Sequence, residues 1–233
     1  MFLRMQGTAF GTCVAFPAPL ASALQVCRRC DQGSTGFVGG HGYRADMTNV
    51  IYNTATTLSG FIADDDNSLD WLFVVEQPED NSFGPFLEGV GALVMGSTTY
   101  EWVYTHEGLD EHPEKWRDSY AERPAFVFTT RELPVPDGLD IRLVQGAVSN
   151  HFGEIAEAAG GRDVWVVGGG DLAGQFYEAG QLDEIRLSIA PVVLESGAPV
   201  LPRRIEADAL HLKSAHVEGQ FVHAHYEVRY PRP

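Results

Sequence analysis

Val164-Trp165-Val166-Val167-Gly168-Gly169-Gly170-Asp171 is the stretch on which the reading of this chain turns. Four β-formers in a row predict a buried strand. Three glycines then turn the chain, and Asp171 opens a helix predicted over Leu172 to Glu178. Glycine lets backbone N–H groups approach an anion with no Cβ in the way. The helix N-terminus adds unpaired donors and partial positive charge. Strand, glycine turn and helix in that order suit a phosphate-bearing ligand. The plain alternative is a strand-to-helix turn with flexible glycines. The third spaced glycine of the six-residue dinucleotide fingerprint is missing, so the motif is not that one.

Two more strand ends of the same kind lie upstream. Ala92-Leu93-Val94-Met95 ends at Gly96, and a helix is predicted to begin near Thr98 and run through Tyr104. Ser97 or Thr98 is expected to cap it, or to offer a hydroxyl to a phosphate; taken alone, capping is the better reading. Ala125-Phe126-Val127-Phe128 runs into Thr129-Thr130-Arg131. Hydroxyls and a guanidinium there suit an adenosine 2′-phosphate, although a surface arginine after a strand would look the same. Ligands of open α/β sheets bind at the carboxyl ends of strands, so three such ends reinforce one another.

The rest of the pattern is orderly from Thr48 onward. Strands are predicted at Asn49–Thr57, Ile141–Val144 and Glu184–Val193, and helices at Ser82–Glu88 (capped by Asn81 or Ser82) and Phe152–Ala159. Ser59 to Asp70 reads as a polar loop. Leu210–His216 and Phe221–Tyr230 flank Glu218-Gly219-Gln220 and read as an antiparallel hairpin. Strands alternating with helices predict a mostly parallel α/β sheet, and the hairpin predicts an antiparallel edge.

Composition narrows the partners. The chain has 233 residues and a formal net charge of -16. The first 46 residues hold four basic and two acidic side chains, so the acidic excess lies downstream. Such a surface repels polyphosphate, which argues against DNA or RNA. A dinucleotide is still allowed, because local N–H donors act against the global field. No long apolar run predicts a membrane span. Cys13, Cys27 and Cys30 all fall in the first 30 residues. Cys27 and Cys30 have the spacing of half a zinc site, but three cysteines do not complete a tetrahedron. Residues 1–46 are rich in Gly, Ala, Pro and Cys without a sustained period. They are expected to be a disordered or artefactual leader before a domain spanning 47–233. The competing reading is a weak secretory signal ending near Ala21-Ser22-Ala23, broken by Pro17 and Pro19.

The order and spacing of these segments resemble the dihydrofolate reductase-like superfamily, and within it the riboflavin-biosynthesis reductase C-terminal domain group and its stand-alone bacterial relatives. The segments are Thr57-Leu58-Ser59-Gly60-Phe61-Ile62-Ala63, Met95-Gly96-Ser97-Thr98-Thr99-Tyr100, Val167-Gly168-Gly169-Gly170, Leu182-Asp183-Glu184-Ile185-Arg186-Leu187 and Ala190-Pro191-Val192-Val193. The resemblance implies helices on both faces of the central sheet, NADPH as cofactor (with NADH not excluded), hydride transfer, a cytoplasmic location and a homodimer. It implies that Gly96, Ser97, Thr98 and Thr99 hold one side of the cofactor. Val167, Gly168, Gly169, Gly170 and Asp171 would hold the other, and Thr129, Thr130 and Arg131 the adenosine phosphate. Two departures stand out. Ser97 replaces the group's arginine, which removes a cation and leaves Arg131 to select NADPH. Ser59 replaces its aspartate in a loop facing the substrate, which points to a different substrate.

For the substrate side, fifteen positions before Met95 lies Asp80, in the place of the acid that binds the pterin in dihydrofolate reductase. A helix-capping role fits it equally. Asp70, Trp71, Tyr100 and Ser59 are further candidates; an indole beside an acid suits a flat substrate, while Trp71 and Tyr100 read equally as core. His223 and His225 share a strand face, where solvent-facing histidines are commoner than a metal pair. Three functions follow: an NADPH-dependent reductase of a small polar or heterocyclic compound, the riboflavin-pathway 5-amino-6-(5-phosphoribosylamino)uracil reductase itself, or a non-catalytic cofactor-binding homodimer.

Overall fold

A computed structural model describes residues 48–76 and 82–230 of the chain. One eight-stranded sheet organises it, in the order β5-β4-β3-β6-β1-β7-β10-β9. The strands are β1 (Val50–Thr57), β3 (Val90–Gly96), β4 (Ala125–Phe128), β5 (Ile141–Val144), β6 (Asp163–Gly168), β7 (Glu184–Ala190), β9 (Leu210–Glu218) and β10 (Phe221–Val228). Every pairing from β5 to β7 is parallel, and β10 is antiparallel to both β7 and β9. The mostly parallel sheet and its closing hairpin are those predicted from the pattern.

The central strands are apolar on both faces because both faces are covered. On β3, Ala92 and Val94 join the core with Phe126, Ile155 and Phe176, whereas Leu93 and Met95 join Tyr100, Trp116 and Trp165. The first core packs on α5 (Val148–Ala159) and α6 (Gly170–Glu178), the second on α3 (Ser97–Glu107) and α4 (Glu114–Tyr120). Two short helices, α1 (Asp70–Phe73) and α2 (Phe83–Gly89), complete the set with a 3-10 turn at Ala207–Ala209.

Several boundaries differ from expectation. β7 stops at Ala190 rather than Val193, because Pro191 has no N–H for the ladder. Helix α5 starts four residues earlier than the apolar period suggested. Helix α4 was not expected at all; its Trp116 and Tyr120 are buried among aromatic partners. The loop read as polar from Ser59 contains β2 (Phe61–Ala63), which pairs with β8 (Ala198–Pro199). That approach requires glycine at 197, where a Cβ would stand 2.1 Å from the Ala63 carbonyl oxygen. The leader at 1–46, with its cysteines, lies outside the described residues.

Helix α5 lies so close to β3 that a Cβ at Gly91 would sit 2.0 Å from the Ala159 carbonyl oxygen. Backbone cannot yield as a flexible side chain can. Gly91→Ala is expected to destabilise the fold by about 3 kcal/mol or more, at the upper end of overpacking costs, read as a fall in the urea midpoint at unchanged slope.

Candidate active site

Strands β3 and β6 run side by side, with Leu93 opposite Trp165, Val94 opposite Val166 and Met95 opposite Gly168. Their turns therefore emerge together. A Cβ placed on Gly96 would lie 3.7 Å from the Gly169 nitrogen and 3.9 Å from the Gly168 oxygen. The space beyond is open: both turns line one cavity of about 610 Å³. Helix α3 begins from Gly96 and helix α6 from Gly169, and neither has a side-chain cap. The expected capping by Ser97 or Thr98 does not occur, because the N-cap position falls on Gly96. The first N–H groups of both helices are left without a side-chain acceptor.

Asp171 follows the second turn. Its carboxyl is held below the usual carboxylate range by the Gln175 amide and next by Arg203, whose guanidinium lies 2.9 Å away. That pairing offsets the negative charge beside the turn. Gly170 meets a different constraint, since a Cβ there would strike the Val200 and Pro199 carbonyl oxygens at 2.3 and 2.4 Å. Its glycine serves packing.

Gly96, Ser97, Thr98, Thr99, Val167, Gly168, Gly169, Gly170 and Asp171 all line the cavity, and so does Trp71. Ser59, Asp70, Tyr100, Thr129, Thr130 and Arg131 do not. Thr129 is buried and accepts the Arg131 N–H at 2.9 Å, closing a local turn, and Thr130 is exposed. Arg131 is engaged by Glu101 through two bonds of 2.9 and 2.6 Å. The sequence reading left this arginine free because its partner sits on α3, thirty residues earlier. Ser59 ties its loop to the segment that follows β7, exchanging bonds with the Leu194 backbone, 3.0 Å each way. Asp70 is exposed at the start of α1. Tyr100 is fully buried, and its hydroxyl donates to the Pro134 carbonyl at 2.6 Å. Burial pushes that phenol above its ordinary range. Asp80 and Asn81 lie outside the described residues.

The far side of the cavity was not anticipated. Along β7, Glu184, Arg186 and Ser188 alternate with Ile185, Leu187 and Ile189, so the strand shows one polar and one apolar face. Ala55, Ser188, His223 and His216 form one cross-strand row, and Asn53, Arg186, His225 and Ser214 the next. All eight line the cavity. Ser188 Oγ lies 3.1 Å from His223 Nδ1, and the His223 and His216 rings stack at 5.0 Å. The Arg186 guanidinium covers the Phe86 ring at 5.3 Å. His225 Nε2 is 3.0 Å from Glu184 Oε2, without the alignment of a hydrogen bond. No group of three or more His, Cys, Asp or Glu among the described residues has metal-binding geometry. The only advance signal was the His-x-His spacing, whose neighbours on β7 lie about 35 positions away.

Sheet order, parallel register and paired turns define a dihydrofolate reductase-like α/β fold of the reductase type. The family model described as RibD C-terminal domain matches residues 48–221, and the chain belongs to that family. The uncharacterized protein YwjB of Bacillus subtilis (strain 168) is 30% identical over 181 residues, covering 78% of this chain and 98% of that protein. A putative riboflavin biosynthesis protein from Shewanella sp. PV-4 superposes with a TM-score of 0.61 at 26% identity, covering 79% of this chain and 100% of that one. Dihydrofolate reductase from Enterococcus faecalis, complexed with NADP(H), shares the fold with a TM-score of 0.50 at 14% identity over 78% of this chain and 97% of its own. No helix among the described residues is long and apolar enough to cross a membrane.

The Tyr100 hydroxyl holds a loop and does not face the cavity. Tyr100→Phe is therefore expected to cost about 1 kcal/mol in urea denaturation, the worth of one hydrogen bond, and to leave ligand affinity within a factor of two.

Proposed function

We propose that the protein is an NAD(P)H-dependent reductase of a small polar or heterocyclic substrate. The observation that carries this reading is the pairing of two uncapped, glycine-bearing helix starts across one open gap. Donors converging on a gap with no Cβ in it fit a pyrophosphate. The bound dinucleotide would supply a hydride. Gly96 to Thr99 would hold one side of it and Gly168 to Asp171 the other. Trp71, Phe83 and Phe86 would face the substrate, with the polar strand rows beneath. The Glu101 carboxylate on Arg131 and the serine at 97 leave little to select the 2′-phosphate, so NADPH and NADH are expected to bind within about tenfold of each other.

The riboflavin-pathway reductase is the second reading, and family membership favours it. The serine at 59 is committed to the Leu194 backbone, which speaks for a substrate other than the pathway's. A non-catalytic cofactor-binding protein is the third.

A homodimer is also proposed. Val217 stands opposite Val222 on the closing hairpin, and they are 73% and 46% exposed, with Leu212 at 50%. Paired apolar side chains on an outer hairpin suit a second copy of the chain. The acidic surface leaves nucleic acid an unsuitable partner.

Gly96→Ala tests the cofactor gap that these readings share. Its methyl would meet neighbouring backbone only at ordinary contact distance, so the fold tolerates it, yet it fills the gap. NADPH added to the wild-type protein is expected to raise nicotinamide fluorescence saturably, and Gly96→Ala to weaken binding at least about tenfold at an unchanged melting temperature. A wild-type protein that binds neither NADPH nor NADH overturns the reductase reading. Sedimentation tests the dimer: Val217→Asp with Val222→Asp is expected to halve the mass seen for the wild type.

A further inference from the structure

The cavity floor carries a chain of polar groups that the fold does not require. Ser188 Oγ meets His223 Nδ1 at 3.1 Å. The other ring nitrogen, Nε2, faces Glu218 Oε1 at 3.8 Å, and Glu218 Oε2 faces His216 Nε2 at 3.7 Å. Glu218 is held in place, because its two carboxylate oxygens accept the Ser82 N–H at 3.1 and 3.3 Å. Burial deepens inward: the His216 side chain is 51% exposed, whereas His223 and Glu218 are each 18% exposed. The series thus runs from solvent at His216 to a hydroxyl in the cavity wall. Ser188 stands opposite Ala55 on β1, and β1 is the neighbour of β6. Ser188 is thus two strand spacings, roughly 10 Å, from the strand that ends in the glycine turn. A flat ring and a small acceptor fit in that interval.

We propose that Ser188, His223, Glu218 and His216 form a proton relay that delivers a proton to the heteroatom of a C=N or C=O substrate as its carbon is reduced. The proposal rests on the reductase reading above, and a reduced nicotinamide dinucleotide is its reductant. The balance closes as follows. The substrate carbon gains a hydride and its π bond to nitrogen or oxygen breaks. The heteroatom takes the Ser188 hydroxyl proton. Ser188 recovers one from His223 Nδ1, and a proton from solvent enters at Nε2 by way of His216 and Glu218, whose 3.7 and 3.8 Å separations close to hydrogen-bond reach as the substrate binds. Ser188 touches the substrate and is the catalytic residue; His223, Glu218 and His216 act through it. Burial lowers the His223 pKa, with Glu218 pulling it back up and His216 pushing it further down. A neutral imidazole can pass a proton from one ring nitrogen to the other without holding a charge.

A matched pair of acceptors tests the relay. Reduction of 3,4-dihydroisoquinoline adds a hydride at carbon and a proton at nitrogen. Reduction of its N-methyl iminium salt adds the hydride alone. Under alkaline conditions, where the free imine carries no proton, the wild type with NADPH is expected to reduce both. Ser188→Ala and His223→Gln are each expected to lose at least about 100-fold on the imine, the scale of general-acid catalysis, and no more than about threefold on the iminium salt. A second readout needs no cofactor. Titrating nitrogen-15 histidine-labelled protein with the imine is expected to shift the His223 ring resonances, and Ser188→Ala to abolish the shift. Equal losses on both acceptors, no loss on the imine, or no imine reduction by NADPH-bound wild type each overturns the relay. Failure to bind NADPH overturns the reductase reading instead.

Discussion

The parallel ladder between β3 and β6 is the constraint on which the site depends. It sets Met95 opposite Gly168, so the two strands end at the same level and their turns share one gap. A register slip of one residue would invert every side chain on the slipped strand. Here inversion is forbidden on both faces at once, since Val94 and Leu93 pack in separate cores. The cavity is therefore positioned by core packing well away from it. The turns are then free to carry hydroxyls and, at Gly96 and Gly169, glycines with room beside them.

At β7 the sheet changes character. β3, β4 and β6 are buried on both sides along most of their length, but β7 buries Ile185 against the core and turns Arg186 and Ser188 into the cavity. Polar groups on a half-buried sheet are costly unless they are paired. Arg186 is paired with Glu184, Ser188 with His223, and Glu218 with the Ser82 backbone. A floor of small aliphatic side chains would have served stability as well. The arrangement keeps polar groups at the cavity's far end while the paired glycine turns occupy the other.

How much could be read in advance follows from this split. β3, β4 and β6 were legible because strands buried on two faces read as unbroken apolar runs, and each ended in a turn with its own signature. The glycine at 96 and those at 168 and 169 came from that local signal and do line the cavity. What failed required distant partners. Arg131 looked free until Glu101 was placed beside it. Tyr100 read equally as a substrate contact or as core, and only the distant Pro134 acceptor decides for core. The floor was illegible for the same reason: its members come from near 53, 186–188, 214–218 and 223–225, and only cross-strand register assembles them. No local period records which strand lies beside which.

Trp71 shows where packing and ligand chemistry meet. Its side chain sits with Ala190 and Phe221 in a small core cluster at 8% exposure. Its indole N–H has no acceptor among the described residues, although the ring lines the cavity. An unsatisfied buried donor costs about 1–3 kcal/mol. Phenylalanine would fill the same cluster without that cost. The indole nitrogen is closed off from the open cavity as well as from solvent, so the cost stands. Trp71 therefore gives the cavity wall an aromatic ring, and Ser188 gives the floor a hydroxyl.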